Sequence, residues 1–367
     1  MSTVLTNFSD ARGNNAIPAF GQESQASHGR KRPGALVISL DFELHWGVRD
    51  SAPLDGKERA RLLSARRIVP RMLDLFEEFS IHATWATVGL MFAHSRTEAD
   101  AFSPTRRPKY RESRLDPYQE MIGAGEADDP FHFAPSLIAE IASRPGQEIA
   151  CHSFSHYYAM EPGQSGEEFE ADLMSAVAIA AQSGHSLRSY VFPRNEVHPE
   201  YLSILKRHGI RAYRGTEPTK IKHARAFNKQ QRPYRRLGRL LDSYVDLCGN
   251  QTCPWPQEER LISVPASRYL RPYSPVLKSF EVRRHARIEQ AMKHAAEQGE
   301  VFHLWWHPED FSYHCDENLV FLRSVLMTFD SYRAQHGMVS LGMAEINNPT
   351  HSTQPMCDSE EEQYELA

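Results

Sequence analysis

Cysteine is scarce and unpatterned: five residues in 367, an odd number, widely scattered. That excludes a disulfide framework as the organising device. The closest pair, Cys248 and Cys253 in CGNQTC, is spaced too loosely for a ribbon-type zinc site. Long apolar runs are missing too, and no segment approaches the roughly 20 residues of a spanning helix. Nor does charge of one sign dominate. A net charge of −5 and a pI near 6.4 give no global reason to expect a nucleic-acid partner. The first thirty residues carry Asp10, Arg12 and Glu23 among Ser, Asn and Gln, without the apolar block of a signal peptide. These absences lead us to expect a soluble, cytoplasmic chain with no membrane span, whose 41% hydrophobic content can bury a substantial core. They leave the oligomeric state open.

Residues 1–33 are polar and aperiodic, so they are expected to be disordered, and 347–367, ending in DSEEEQYELA, reads as an acidic disordered tail. Between them, over 34–346, short β-rich runs alternate with helical patterns. The runs are ALVISLD, HATWATVG, EIACH, SYVFP, IRAYR, LISVPA, VFHLWW and MVSLGM. Helical patterns include RARLLSARRIVPRMLDLFEEF, interrupted at Pro70, then EEFEADLMSAVAIAAQSG, PEYLSILKRHG and RRHARIEQAMKHAAEQG. Repetition of strand and helix implies an α/β fold with a parallel sheet, and seven or eight units can close into a (β/α) barrel. An open doubly wound sheet competes, but no Gly-rich phosphate loop follows a strand. Two stretches, near 96–130 and 216–260, break the rhythm as insertions. The second is strongly basic over PTKIKHARAFNKQQRPYRRLGRLLDSY, which suits either a solvated surface or a patch for substrate phosphates.

In such barrels the functional groups project from the C-terminal ends of the strands. The first run places Asp41 at its end and Glu43 just beyond. EIACH ends in His152, with His156 four residues later; if a helix begins near Ser153, both rings face one point. Alone the pair is unspecific. Two His and a carboxylate with open positions, however, form the pattern of a catalytic Zn2+ or related divalent site. VFPRNEVHP brings Arg194 and Asn195 to the same rim. VFHLWWHPEDF offers His307 at a strand end, with His303 on the same side-chain parity. His303, Trp305 and Asn195 are candidate substrate contacts, with core packing the alternative for His303 and Trp305.

In order, SLDFE, ATWATVG, HSFSH, VFPRNE and LWWHP resemble the polysaccharide deacetylase family, also described by NodB homology and as carbohydrate esterase family 4-like, over roughly 35–345. The resemblance implies a distorted (β/α) barrel of seven or eight units that hydrolyses N-acyl groups on amino sugars with a divalent metal. Zn2+ comes first, with Co2+, Mn2+, Ni2+ or Fe2+ as others. It makes Asp41 the general base, His152 and His156 metal ligands, Arg194 the group that orients Asp41, and His307 the general acid. Many members carry two adjacent aspartates where this chain has Asp41-Phe42-Glu43. Branches with an acid, any residue and a second acid match more closely, which makes Glu43 the third ligand and leaves the division of roles between Asp41 and Glu43 to experiment. The family's arginine usually precedes its proline, whereas here Pro193 precedes Arg194. The implied substrate is an N-acylated, chiefly N-acetylated, amino sugar, free or linked to a nucleotide or lipid. The alternatives are a deformylase or cyclic-amide hydrolase on the same scaffold, and a non-catalytic sugar-binding barrel.

Overall fold

The computed structural model describes residues 32–217, 232–257 and 259–347. Residues 1–31 and 348–367 of the terminal segments expected to be disordered, and positions 218–231 of the basic insertion, lie outside the described residues. Strand β1 (Ala35–Phe42) is the centre of the molecule, and all eight of its residues are buried, as in a strand covered on both faces. Alternation sorts them. Leu36, Ile38, Leu40 and Phe42 join the large cluster between sheet and helices, while Ala35 and Val37 join a smaller one, mostly of strand residues, inside the curl.

The other strands are β2 (Ala83–Thr87), β3 (Gln147–Cys151), β4 (Ser189–Tyr190), β5 (Ala212–Gly215), β6 (Ile262–Pro265), β7 (Arg268–Tyr269), β8 (Val301–Trp306) and β9 (Val339–Leu341). They run β6-β5-β4-β3-β2-β1-β8-β7, with β9 added beside the start of β1, and every pairing is parallel. Each of the eight runs read from the sequence overlaps one of these strands; β7, two residues long, was not among them. The two ends of the path, β6 and β7, are separated in sequence only by Ala266 and Ser267. One bent stretch therefore pairs with β5 on one side and β8 on the other. The result is a curled parallel sheet with helices, the distorted (β/α) barrel expected.

The α-helices among the described residues are α1 (Gly56–Glu78), α2 (Arg96–Phe102), α3 (Pro135–Ser143), α4 (Gly166–Gln182), α5 (Leu202–Arg207), α6 (Arg232–Asp242), α7 (Glu281–Gln298) and α8 (Cys315–His336). α1 starts at Asp55, whose side chain accepts the Glu58 N–H. It also corrects an expectation, because it runs through Pro70 without a break. A proline inside a helix costs about 3 kcal/mol. Here Ile68, Val69, Met72, Leu73 and Phe76, on both sides of it, are buried in the core and outweigh that cost. Among the described residues no helix is long and apolar enough to cross a membrane.

Candidate active site

The parity that buries Ala35 and Val37 inside the curl carries on to Ser39 and Asp41, so a polar layer lies at the C-terminal end of the barrel interior. Arg214, projecting from β5, is almost fully buried there. Its Nη1 and Nη2 donate to the two Asp41 oxygens at 2.6 Å each. Its Nε and Nη2 also donate to Asn195 Oδ1 at 2.8 and 2.5 Å, and Nη1 donates to Ser39 Oγ at 3.0 Å. Burial would raise the Asp41 pKa, but Arg214 holds it below the usual carboxylate range. A guanidinium only donates, so the Ser39 hydroxyl is free to donate to His303 Nε2 at 2.8 Å, and His303 Nδ1–H donates to the Val264 carbonyl at 3.2 Å. His303 is thus fully buried with both nitrogens engaged. It supports the layer beneath Asp41 and is not placed to touch substrate.

The arginine expectation is also corrected. Arg194 and Asn195 both have positive φ, 59° and 55°, in the turn after β4. Asn195 turns in toward Arg214. Arg194 turns out, its guanidinium 3.8 Å from the Tyr158 ring centroid and paired with Glu161 and Asp50. It lines the mouth, while Arg214 makes the contact with Asp41 that was expected of it.

Glu43 sits one step past β1. Its Oε2 lies 3.0 Å from His152 Nε2 and 3.0 Å from His156 Nε2. Gly47 makes this placement possible, since a Cβ there would stand 1.9 Å from Glu43 Oε1. The histidines do not meet through a helix. Residues 152–158 are irregular, Ser153 and His156 have φ of 62° and 55°, and α4 begins only at Gly166. Asp172 of α4 braces this loop by accepting the N–H groups of Phe154 and Ser155 at 2.7 and 3.1 Å. Burial opposes charge on Glu43, yet the His156 and His307 rings hold it well below the usual carboxylate range.

The proton inventory tests whether these residues suit a metal. His152 Nδ1 is 2.9 Å from the Val191 carbonyl, which can only accept, so Nδ1 carries the proton. In the neutral ring Nε2 then presents a lone pair to a carboxylate oxygen. A cation between them removes that conflict, and the donors, two imidazole nitrogens and one carboxylate oxygen, are those a divalent first-row metal takes. The residues fit.

His307, at the end of β8, brings Nε2 to 3.7 Å from Asp41 Oδ2 and 3.6 Å from Glu43 Oε1. Its Nδ1 is 2.9 Å from Asp310 Oδ2, which also accepts the Tyr269 hydroxyl at 2.6 Å. Burial alone would lower the His307 pKa, but Asp310, Glu43 and Asp41 raise it well above the ordinary imidazole range. Trp305 lies under Arg214, 4.6 Å from ring centroid to Cζ, and lines the cavity.

Asp41, Glu43, His156, Asn195 and His307 open into a cavity of about 370 Å3. It adjoins one of about 490 Å3, and the two share Arg239, Trp305 and His307. Arg268 and Arg271 line the larger. Arg239 pairs with Glu217 and Arg268 with Asp242. Arg271 has no carboxylate partner among the described residues; its Nε donates to Ser243 Oγ at 2.9 Å. Sequence reasoning missed Arg214, Asp310 and Glu309. Arg214 lies inside a run already read as a strand, where a charged residue is itself a signal, and Asp310 stands three residues beyond His307. Glu309 is buried, lines the smaller cavity and accepts the Leu44 N–H at 2.7 Å; burial raises its carboxyl to about 7.

Residues 55–213 match the family model described as polysaccharide deacetylase. This bears out the resemblance read from the motifs. The matched segment includes His152 and His156, and it excludes Glu43, Arg214 and His307. Among solved structures, a Mycobacterium smegmatis protein assigned as a polysaccharide deacetylase is 14% identical, with 90% of this chain and 95% of that one covered and a TM-score of 0.55. At that identity the likeness is one of fold. A Pseudomonas aeruginosa protein assigned likewise is 13% identical, covers 87% and 92%, and has a TM-score of 0.47. A family 4 carbohydrate esterase from Streptomyces lividans, in complex with acetate, is 10% identical, covers 84% and 92%, and has a TM-score of 0.38. No curated protein matches the chain significantly.

Proposed function

From the match of residues 55–213 to the polysaccharide deacetylase family model, we propose a metal-dependent hydrolase that removes an N-acyl group, foremost N-acetyl, from an amino sugar. The observation that carries the reading is the meeting of three rim groups in one cavity: the Glu43/His152/His156 cluster, the Asp41–Arg214 pair and the His307–Asp310 pair.

Glu43, His152 and His156 would hold the ion, with Zn2+ the best match to two imidazoles and a carboxylate. When bound, such an ion lowers the pKa of a water to about 7 and polarises the acyl carbonyl. Asp41 takes a proton from the attacking water. Arg214 fixes the plane of that carboxylate and Asn195 fixes Arg214, so the base is oriented before substrate arrives. Proton delivery to the departing nitrogen falls to His307 Nε2, on a ring that Asp310 orients and keeps protonated through Nδ1. The adjoining arginine-lined cavity supports an anionic substrate, such as a nucleotide- or lipid-linked sugar precursor, with Arg271 the side chain freest to meet a phosphate.

The test is a screen of N-acetylated and N-formylated sugar nucleotides for released acid, with and without chelator, using metal-loaded protein and Asp41→Asn. Acetate released by the wild type alone, and lost with chelator, is expected. Release of formate alone would make the protein a deformylase. Failure of metal-loaded protein to release acid from any substrate would overturn the hydrolase reading in favour of a sugar-binding barrel.

A further inference from the structure

Beyond Glu43, the single-turn helix Leu44–Gly47 carries His45 away from the cavity and toward the insertion. There His45, Glu120 and His132 each turn a ligand atom to a common point, all within 4.8 Å of one another. His45 Nε2 is 3.9 Å and His132 Nε2 3.8 Å from Glu120 Oε1. Both rings are buried, while the Glu120 side chain keeps 28% of its exposure and leaves the cluster open on one side.

Proton placement makes this more than a histidine pair. Asp129 accepts the backbone N–H of Gly123 on Oδ2 at 2.9 Å and that of Phe131 on Oδ1 at 3.2 Å. It is therefore acting as an acceptor, and His132 Nδ1, 2.7 Å from Asp129 Oδ2, donates to it. With its proton on Nδ1, the ring in its neutral form presents Nε2 as a bare lone pair. That nitrogen is fully buried and has no hydrogen-bond partner among the described residues. An imidazole held by a carboxylate on its far nitrogen, with the near nitrogen aimed at a second histidine and a carboxylate, has the outer support that metal-ligating histidines have. The ring is also fixed from its backbone, where Trp46 Nε1 donates to the His132 carbonyl at 2.9 Å.

We propose that His45, Glu120 and His132 form a second binding site for a divalent first-row metal ion, Zn2+ being the closest match, separate from the rim cluster. Around a tetrahedral ion with bonds of about 2.0–2.1 Å, ligand atoms stand about 3.4 Å apart. The two contacts to Glu120, at 3.9 and 3.8 Å, need a closure of about half an ångström, which the partly exposed Glu120 side chain can supply, and the two ring nitrogens already lie within 4.8 Å of each other. The role is structural. Between α2 and α3 the chain forms only two single-turn helices, Ser113–Leu115 and Pro117–Gln119, so this long stretch has little regular hydrogen bonding of its own. An ion on Glu120 and His132 staples it to the turn that carries Glu43, where His45 N–H already donates to the Phe131 carbonyl at 3.2 Å.

The test is Zn2+ and Co2+ titration by calorimetry into chelator-stripped full-length protein, with atomic emission to count bound ions. Two tight equivalents are expected in the wild type and one in His152→Ala. In the His152→Ala background, Glu120→Ala should weaken the remaining equivalent by more than the 10–100-fold lost when only an outer partner is removed. Glu120 is chosen because its partly exposed side chain should leave folding intact, as circular dichroism would verify. His132→Gln provides an independent second variant with the same expected loss. The proposal fails if folded His152→Ala binds no tight ion, or if Glu120→Ala leaves its affinity unchanged. Neither failure touches the rim site, whose own test is the loss of an ion in His152→Ala.

Discussion

The two histidine-carboxylate clusters offer the same donors in different scaffolds. At the rim, Glu43 and His152 stand just past the ends of β1 and β3 and His156 on the loop that follows, and both histidines meet Glu43 at 3.0 Å. In the second, a single-turn helix and an irregular insertion bring His45, Glu120 and His132 to 3.8 and 3.9 Å. Each has one ring whose proton is fixed on Nδ1, by the Val191 carbonyl in His152 and by Asp129 in His132. What separates them is the company they keep. The rim cluster has Asp41 with its arginine and His307 with its aspartate in the same cavity. The second packs against the Trp46 ring, 5.0 Å from His132, and none of its three residues lines that cavity. A ligand set makes a metal site; a positioned acid and base beside it make a catalytic one.

The largest effect that tests this distinction comes from splitting the rim carboxylates. Asp41→Asn keeps the shape but removes basicity, so turnover should fall by about 10²–10⁴-fold, while calorimetry should find metal affinity near the wild-type value. Glu43→Gln should lose both turnover and the rim ion, and the second cluster should keep its ion. Tight rim binding in Glu43→Gln together with its loss in Asp41→Asn would exchange the two roles.

Next is the arginine. Arg214→Ala leaves the buried Asp41 carboxylate without its partner, and breaking a buried pair in this way costs about 3–5 kcal/mol. Arg194, partly exposed at the mouth, pairs with Asp50 and Glu161, and Arg194→Ala should cost about 1 kcal/mol or less. Denaturant titration of the two variants checks this, and equal losses would mean that Arg214 does not hold Asp41 as the geometry says.

This pair also marks how far the sequence could be read. Strand ends were legible because ALVISLD, EIACH and VFHLWW are short β-rich runs that stop at or just before an ionisable residue. The geometry at those ends was less so. Arg194 and Asn195 differ in direction because of two consecutive left-handed residues, and the His152–His156 loop converges through two more, at Ser153 and His156. Neither is encoded by spacing. The second cluster was beyond reach for a different reason: its ligands are separated by 75 and 12 positions across an insertion with almost no period to count. Only the fold makes them neighbours.

A smaller effect is expected at Gly47. A Cβ added there meets the Glu43 carboxylate at 1.9 Å, so Gly47→Ala must push that side chain off the His152–His156 axis. Rim affinity should weaken by about 10–100-fold, the range typical of a disturbed support, with the second ion retained. Unchanged rim affinity would show that Glu43 does not need this close approach.

The smallest effect provides a control for both clusters. His82 and Glu345 form a third histidine-carboxylate contact, Nδ1 lying 3.0 and 2.8 Å from the two oxygens, with no third ligand among the described residues. Here a proton suffices to join the pair, and the Glu345 hydrogen bond raises the His82 pKa above the ordinary 6.5. The folded state therefore binds this proton more tightly than the unfolded chain. The stability it adds is fully present below about pH 6.5 and is lost as pH rises through the raised folded value. Both side chains are more than a third exposed, so solvent screening keeps the contribution at the low end of about 0.2–1 kcal/mol. Denaturant titrations of wild type and His82→Gln should differ at pH 6 and converge at higher pH, and chelator should leave that difference unchanged. A difference that instead vanished with chelator would mean that this contact also binds metal, and that a lone pair facing a carboxylate is not what distinguishes the two clusters from an ordinary ion pair.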